Sequence, residues 1–375
     1  MAKIGTEILV NTQKTFDQTL SQSAKLNNGG FVVVWVDWAD SPDPTVADGS
    51  WSAIKAQVFS PAGSKVGAEI LVNTATLLWQ QDPRVAVLPG GNFVVSWTDG
   101  WDYFGYADHN GSQGVGGATG DTEGKAVKLQ VFSAGGNPVG TEVLVNTEPR
   151  NHQTGQKIAA LANGNFVVTW EDWVSSCAYD ANGNLDRCGG GPEIKAQLFD
   201  PAGAKIGNAL LVTGDHNYAP QITALTDGGF AIAWHDGHYS VDDVRAQVFG
   251  ATGARVGSEI LVNTAGAGAS WSSQNEEQIA ALADGRFVLA WTDNNGDDSS
   301  SAVKARVFDA AGLPISEELL VNTGTFSYQW HPRIAVLKNG GFVVAWDTWG
   351  ADGPDATSLD VNAQIFDNAG ARVGK

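Results

Sequence analysis

The sequence predicts an all-β protein, a six-bladed β-propeller with four antiparallel strands in each blade. Two observations carry this prediction. An apolar segment that ends in tryptophan occurs six times, and three further strand-like segments recur around each copy. Internal repeats of this length are typical of propellers, solenoids and other arrays. Four short strands per repeat, joined by tight turns, favour the propeller.

The tryptophan segment, which we call strand B, is the most regular part of the repeat. Its first copy runs from Phe31 to Trp35 and follows a Gly-rich turn. A short apolar run of β-branched and aromatic residues indicates a well-buried strand. The six tryptophans are Trp35, Trp97, Trp170, Trp234, Trp291 and Trp346, and they are separated by 62, 73, 64, 57 and 55 residues.

Three other segments complete each repeat. In the first repeat, strand A (Ser23 to Leu26) precedes strand B, and strands C (Lys55 to Phe59) and D (Glu69 to Thr74) follow it. Residues 7–12 carry a copy of the strand D sequence, and the sixth repeat has none after its strand C. We therefore predict that the N-terminal strand completes the last blade and closes the ring. The blades are expected at about 18–74, 80–147, 156–214, 219–264, 277–323 and 331–374 plus 3–12, in a single domain that is monomeric.

Composition limits the classes of partner. The chain has 22 Lys and Arg against 41 Asp and Glu, a formal net charge of -19, so nucleic acid is not expected to bind. No apolar run is long enough to cross a membrane. The start has no signal-peptide segment, and we interpret it as an artificial start or that of an excised domain. The two cysteines, Cys177 and Cys188, share one loop, which indicates an oxidising compartment and a secreted or cell-surface protein.

The two ends of the predicted blades differ sharply in their aromatic content. The A–B and C–D turns are short and Gly-rich, whereas the B–C and D–A loops are long. These long loops, or their edges, hold all tyrosines, all histidines and the eight tryptophans outside strand B. One explanation is that long loops bury their own aromatic residues. The other is a ligand-binding surface, since amphipathic rings on a rigid scaffold are typical of such surfaces.

We predict that this aromatic surface binds a glycan. The residues expected nearest the axis are Trp79, Tyr218, Trp271, Trp330 and His331, and Trp101 and Trp173 are expected to form a wall. Three cations stand where strands A begin, namely Arg84, Lys157 and Arg333. They are either solvated or paired with loop carboxylates, or they form a positive centre that fixes an anionic group such as a uronate.

A carboxylate follows each strand B tryptophan by two residues in five of the six repeats. We interpret it as structural, because it faces the cation that opens strand C. In the sixth repeat both charges are lost together, as expected of a cross-strand pair. The pairs are Asp37/Lys55, Asp99/Lys128, Asp172/Lys195, Asp236/Arg245, Asp293/Lys304 and Thr348/Asn362.

One loop has the spacing of a calcium site. Oxygen ligands recur at every second position, at Asp180, Asn182, Asn184 and Asp186. This alternation resembles an EF-hand-type loop. The loop has Leu185 where a glycine is usual and no glutamate at its twelfth position, and the alternative is a solvated hairpin turn. Weaker metal candidates are Asp293 to Asp298 and a transition-metal group of His216, His235 and His238.

Three repeated motifs carry a resemblance to a known group of proteins. They are Gly-Gly-Phe-Val-Val-x-Trp, Lys-Ala-Gln-Val-Phe-Asp and Val-Gly-x-Glu-Ile-Leu-Val-Asn-Thr. With them the chain resembles the tandem propeller-type repeats of large secreted bacterial proteins, which often carry calcium-binding RTX segments. The resemblance covers essentially the whole chain and implies an extracellular setting. It implies no catalytic residues, and the nonapeptide repeats of RTX proteins are absent from this sequence.

Three classes of function remain open. The first is a carbohydrate-binding, lectin-like propeller. The second is a polysaccharide lyase or glycoside hydrolase that acts at the same surface. A lyase would use Arg84, Lys157 or Arg333 to neutralise a uronate and a pair such as His238 and Tyr239 for proton transfer. A hydrolase would need two suitably spaced carboxylates. The third is an adhesin or protein-interaction scaffold, and fold alone does not decide among the three.

Overall fold

The structure is a computed structural model that describes most of the chain. The described residues are 6–12, 16–38, 51–74, 79–100, 124–147, 152–173, 176–179, 185–237, 243–264, 277–294, 301–324, 328–349 and 359–374. They form two compact units, 1–160 with 164–175 and 196–209, and 161–163 with 176–195 and 210–375. No helix among the described residues is long and apolar enough to span a bilayer.

The strands of the first three sheets lie between residues 18 and 213. The first sheet holds β1 (Gln18–Lys25), β2 (Phe31–Trp38), β3 (Ser52–Phe59) and β4 (Lys65–Leu71). The second holds β5 (Gln80–Val87), β6 (Phe93–Asp99), β7 (Ala126–Phe132) and β8 (Pro138–Leu144). The third holds β9 (His152–Ala160), β10 (Phe166–Trp173), β13 (Pro192–Phe199) and β14 (Lys205–Thr213), with a separate hairpin of β11 (Ser176–Tyr179) and β12 (Leu185–Gly189) between its second and third strands.

The remaining three sheets repeat the same order. The fourth holds β15 (Asn217–Ala224), β16 (Phe230–Asp236), β17 (Asp243–Phe249) and β18 (Arg255–Leu261). The fifth holds β19 (Gln278–Ala281), β20 (Phe287–Asp293), β21 (Ala302–Phe308) and β22 (Leu319–Leu320). The sixth holds β23 (Gln329–Val336), β24 (Phe342–Trp349), β25 (Leu359–Phe366) and β26 (Arg372–Val373).

Six four-stranded antiparallel sheets confirm the predicted all-β, six-bladed propeller. Within each sheet the spatial order is A, B, C, D, as expected when every connection is a hairpin. The A–B and C–D turns are tight and close through backbone bonds such as Gly29 N–H to Leu26 O at 3.0 Å. Gly29 has a φ of 85°, a conformation that favours glycine.

Each blade contains a stacked pair of phenylalanines where strands B and C lie in register. Nearly parallel rings about 5 Å apart contribute roughly 0.5–1.5 kcal/mol beyond the area they bury. The six pairs, with their centroid distances, are Phe31–Phe59 (4.7 Å), Phe93–Phe132 (5.3 Å), Phe166–Phe199 (5.1 Å), Phe230–Phe249 (5.0 Å), Phe287–Phe308 (5.3 Å) and Phe342–Phe366 (5.1 Å). The repeated phenylalanines of strands B and C are therefore intra-blade core contacts.

Strand B is apolar on both faces because it packs on both sides. Phe93 and Val95 of β6 lie in a cluster with Val34 of the first sheet. Val94, the residue between them, lies in a second cluster with Phe166 of the third sheet. Successive side chains of a strand point to opposite faces, so burial on both faces requires a continuous apolar run. Each fully buried side chain of this kind contributes roughly 1.5–3 kcal/mol.

The predicted cross-strand ion pairs are confirmed in four sheets. Asp99 pairs with Lys128, and Lys304 with Asp293 at 2.7 Å, as do the corresponding residues of the first and fourth sheets. In the sixth sheet the substituted pair is a hydrogen bond of 2.8 Å from the Asn362 amide to the Thr348 hydroxyl. In the sixth sheet a neutral donor and a neutral acceptor therefore stand at the positions of the two charges.

A glutamate of strand D adds a third member that the sequence analysis missed. Glu142 lies 3.0 Å from Lys128 and also accepts hydrogen bonds from the backbone N–H and hydroxyl of Thr74, at 2.7 and 2.8 Å, in the preceding repeat. The same arrangement joins Glu318 to Lys304 and Thr264. These carboxylates connect adjacent blades.

The charges of the fifth-sheet group shift two pKa values. Burial opposes ionisation of Lys304, but its bonds and charge contacts with Asp293 and Glu318 outweigh burial and raise the pKa of Lys304. Burial likewise opposes ionisation of Glu318, but the hydrogen bonds from Thr264 and the charge of Lys304 lower the pKa of Glu318. Both shifts favour the ion pair.

The sixth sheet differs from the prediction in the origin of its fourth strand. That strand is β26, near the C-terminus, and residues 6–12 are not in a strand. Instead, Thr12 donates its backbone N–H and its hydroxyl to Glu69, both at 2.8 Å. These are the bonds that Thr74 makes to the next repeat, so residues 6–12 contact the first sheet as the end of a strand D would. Closure of the last blade by this segment stays a prediction.

Candidate functional site

A bulge at the start of strand A shapes the loop-bearing end of the blades. Between Gln81 and Arg84 of β5, two residues oppose one residue of β6, and the register shifts. The same shift occurs in β1, β9, β15 and β23. The residue in the bulge has a positive φ each time, at Leu20 (53°), Asp82 (51°), Gly155 (67°), Ala219 (53°) and His331 (56°). Bulges of this kind redirect side chains and are over-represented beside active sites.

In the first unit, two tryptophans meet at this end. Trp38 closes β2 and Trp79 precedes β5, and their rings form an edge-on contact with centroids 6.0 Å apart. The Trp38 indole donates a hydrogen bond of 2.7 Å to the Thr19 hydroxyl. Both rings are half-buried. Trp79, a predicted ligand contact, is thus held by a neighbouring ring and still presents part of its surface.

Trp173 is held in a similar way by polar partners. Its indole N–H lies 3.2 Å from a Glu171 carboxylate oxygen and 3.3 Å from the Thr154 hydroxyl. Thr154 also donates to Glu171 at 3.2 Å. The predicted wall residue therefore belongs to a fixed polar cluster at the end of the third sheet.

The three predicted cations occupy one equivalent position, just after the bulge. Arg84 and Arg333 each donate to the carbonyl oxygen of the preceding proline, at 3.3 and 2.9 Å, and the Lys157 ammonium donates to Gly155 at 3.4 Å. Neither arginine forms an ion pair with another described residue. Pairing with carboxylates, the simpler of the two explanations, is therefore not seen for the arginines within the described ranges.

In the second unit, Tyr218 lies in a slot between two glycines. A Cβ on Gly191 would come within 2.9 Å of the Tyr218 hydroxyl oxygen, and one on Gly237 within 3.0 Å of its ring. The ring also contacts His235, with centroids 6.1 Å apart. The phenol is therefore fixed by close backbone approach that only glycine permits.

Two buried ionisable residues, Glu277 and His235, occupy positions where the second and third sheets carry a neutral hydrogen-bonded pair. In the first unit, the Gln156 amide bridges the Thr98 hydroxyl at 3.0 Å and the Asp82 carbonyl at 2.6 Å. The repeat places Glu277 where Gln156 stands and His235 where Thr98 stands. Glu277 and His235 are only 1% and 6% exposed. Sequence reasoning missed Glu277, although aligning the strand A starts would have shown its position.

His331 and Asp347 form a pair at the end of the sixth sheet. His331 Nδ1 lies 2.9 Å from an Asp347 carboxylate oxygen, and both side chains are well exposed. The ring of Trp330 contacts His331 edge-on at 6.2 Å and Tyr328 at 6.1 Å. A second pair at this end joins His216 Nδ1 to Asp215 at 3.2 Å.

Several predicted site residues lie outside the described residues. These are Trp101, Trp271, His238, Tyr239, Asp180, Asn182 and Asn184, and of Asp186 only the backbone, in β12, is described. Cys177 and Cys188 lie directly opposite each other in the β11–β12 hairpin. Within the described residues, no three His, Cys, Asp or Glu side chains are grouped to hold a metal ion. The calcium site therefore stays a prediction.

The opposite end of the blades differs from the loop-bearing end in its residue types. It consists of twelve tight turns with no Trp, Tyr or His, namely 26–30, 60–64, 88–92, 133–137, 161–165, 200–204, 225–229, 250–254, 282–286, 309–313, 337–341 and 367–371. The predicted one-sided distribution of Tyr, His and the Trp residues outside strand B holds for all residues that the structure describes.

Comparison with known proteins supports the fold. No protein-family model and no curated protein matches the chain. Among solved structures, NanB sialidase from Streptococcus pneumoniae matches with a TM-score of 0.50 at 8% identity, over 96% of this chain and 70% of that one. A PL25 polysaccharide lyase, an ulvan lyase bound to -[GlcA(1-4)Rha3S]-, has a TM-score of 0.50 at 10% identity, over 96% and 81%. A protein of unknown function from Dyadobacter fermentans aligns over 96% of both chains, with a TM-score of 0.46 and 13% identity. At such identities the likeness to the sialidase and to the lyase, which both have a TM-score of 0.50, is one of fold.

Proposed function

We propose that the protein binds an anionic polysaccharide at the loop-bearing end of its blades. The observation that carries the proposal is that the Trp, Tyr and His side chains outside the core, among the residues that the structure describes, lie at this one end together with the starts of strands A that carry Arg84, Lys157 and Arg333. Half-buried rings such as Trp79 and Trp330 offer apolar faces on which a sugar ring can stack. The cations supply charge-assisted hydrogen bonds to carboxylate or sulfate groups.

Because the net charge is -19, the three cations attract an anionic polymer only locally and not over the whole surface. An anionic polymer is repelled by most of the surface, and it gains free energy only where it contacts one of these cations. The guanidinium of Arg333 has further N–H donors besides the one on Pro332, and guanidinium geometry suits a planar carboxylate. These features support a uronate-containing polymer over a neutral one.

We extend the proposal to the setting. Cα partners in an antiparallel pair lie about 4.5–5.5 Å apart, which suits a disulfide between Cys177 and Cys188. Such a bridge supports a secreted or cell-surface location. The loop that this hairpin carries is where we propose that calcium binds, through Asp180, Asn182, Asn184 and Asp186.

Titration calorimetry with a polyuronate, a sulfated polysaccharide and a neutral glucan tests the proposal. Arg333→Ala should weaken binding of the anionic polymer about tenfold, roughly 1.4 kcal/mol. Trp330→Ala should weaken it by a similar factor. Arg286→Ala is the matched control, because this partly exposed arginine lies at the opposite end, where it bonds Asn368 and Asp284.

The outcome separates the remaining classes. Binding that Arg286→Ala weakens as much as Arg333→Ala would contradict the proposed surface. Absence of binding to every polysaccharide would favour the protein-interaction scaffold instead.

A further inference from the structure

We propose that His331, Asp347 and Arg333 form an eliminating centre that cleaves 4-linked D-glucuronate polymers. The proposal rests on the proposed function, because it assigns chemistry to the same surface. Its evidence lies within the sixth sheet alone, where the three residues are adjacent on β23 and β24.

The His331–Asp347 contact fixes which nitrogen can act as a base. A carboxylate only accepts hydrogen bonds, so Nδ1, which lies 2.9 Å from the Asp347 oxygen, carries the proton of the neutral ring. Nε2 then holds the lone pair. A base oriented by a carboxylate on its other nitrogen is the arrangement by which histidine performs general base catalysis.

The backbone at His331 has the positive φ of the bulge that recurs at the starts of strands A. Its φ of 56° lies in the left-handed region, and the equivalent position of the third sheet is Gly155. A non-glycine residue is disfavoured in this conformation, because its Cβ comes too close to the following carbonyl oxygen. Strain of this kind is concentrated at functional sites. The bulge turns His331 towards solvent beside the half-buried ring of Trp330.

Arg333 supplies the charge that elimination needs. Abstraction of the proton at C5 of a uronate places negative charge on the neighbouring carboxylate, and a guanidinium that binds that carboxylate stabilises it. Arg333 follows His331 by two residues and pairs with no described carboxylate. One strand, β23, therefore carries both the proposed base and the cation.

The step balances without a further reactant. His331 Nε2 takes the C5 proton, the C4=C5 double bond forms, and the C4–O4 bond breaks. The same Nε2–H then protonates O4 of the departing chain. One histidine can serve both atoms only when H5 and O4 lie on the same face of the sugar, as in D-glucuronate and not in D-galacturonate. This requirement selects the substrate class.

The test follows the ultraviolet absorbance of the unsaturated product while calorimetry measures binding in parallel. The full chain is incubated with 4-linked polyglucuronate and with polygalacturonate. We expect absorbance to rise with polyglucuronate alone. His331→Ala should lower kcat about 100-fold with KM changed less than about threefold. Asp347→Asn should lower kcat at least tenfold, because the amide no longer holds the tautomer, and Asp347→Glu should restore part of it.

Two controls keep the result interpretable. Asp215→Asn changes the other His–Asp pair at this end and should leave kcat unchanged. His331→Gly relieves the strained φ, so it should be inactive while its melting temperature is not lowered. Inactivity in a folded His331→Gly variant cannot be attributed to misfolding.

Each other outcome overturns the proposal. If polyglucuronate binds without turnover, the eliminating centre is wrong and the proposed binding function stands. If polygalacturonate is cleaved equally well, or if His331→Ala retains activity, the single-histidine mechanism is wrong. If polyglucuronate neither binds nor reacts, the eliminating centre is wrong, and the other anionic polymers decide the binding function separately.

Discussion

Replacing Lys128 with alanine should destabilise the protein far more than the same change at Lys55. Lys128 is 2% exposed and contacts Asp99 and Glu142, whose side chains are 1% and 5% exposed. Removing it leaves two buried carboxylates without their cation, and breaking a buried pair in this way costs about 3–5 kcal/mol. Lys55 is 15% exposed, with contacts of 3.9 and 3.5 Å, so its loss should cost about 1 kcal/mol or less.

Urea unfolding measures the difference. The midpoint should fall much further for Lys128→Ala than for Lys55→Ala, with the slope unchanged. A second variant tests the cause. Lys128→Asn combined with Asp99→Thr transfers the neutral pair of the sixth sheet, and it should be more stable than Lys128→Asn alone. Equal losses at the two lysines, or simple additivity in the double variant, would show that burial of the Lys128 ion pair does not control its contribution to stability.

Three further predictions concern acid stability, the N-terminal segment and calcium. The lowered pKa of Glu318 gives stability that is present above its usual 4.5 and is lost as the pH falls through the folded value. Glu318→Gln should therefore flatten the acid side of a stability–pH profile, and Glu317→Gln, an exposed neighbour, should not. Deleting residues 6–12 in addition to 1–5 should lower the melting temperature and promote association relative to deleting 1–5 alone, because the contacts with the first sheet are lost. An identical melting curve would contradict this. Calcium should raise the melting temperature of the native chain but not of Asp180→Ala, and no effect of EDTA on the native chain would show that the site does not exist.

The fold could be predicted because each blade repeats its local signals. The apolar run to Trp97, the alternation up to Phe132 and the Gly-rich turns between them all predict strands and hairpins without long-range information. The Asp99–Lys128 pair was also predictable, because its two members change together in the sixth repeat. Two residues in direct cross-strand contact are expected to change together from one repeat to another.

The details of the site depend on geometry that the sequence does not carry. The role of Glu142 was missed because its partner Thr74 belongs to the preceding repeat, 68 residues away. The bulge was missed because glycine marks it only at Gly155, while Ala219 and His331 give no sign of a positive φ. Pairing of His331 with Asp347 required the resulting register shift.

Hydrogen exchange in the presence of an anionic polysaccharide tests whether the loop-bearing end of the blades is the binding surface. We expect slower exchange at the starts of strands A, at residues 80–84, 153–157, 217–221 and 329–333, when polyglucuronate is bound. Exchange in the twelve tight turns at the opposite end, such as 282–286, should not change. Protection confined to those turns, with none at the starts of strands A, would show that the polysaccharide does not bind at the loop-bearing end.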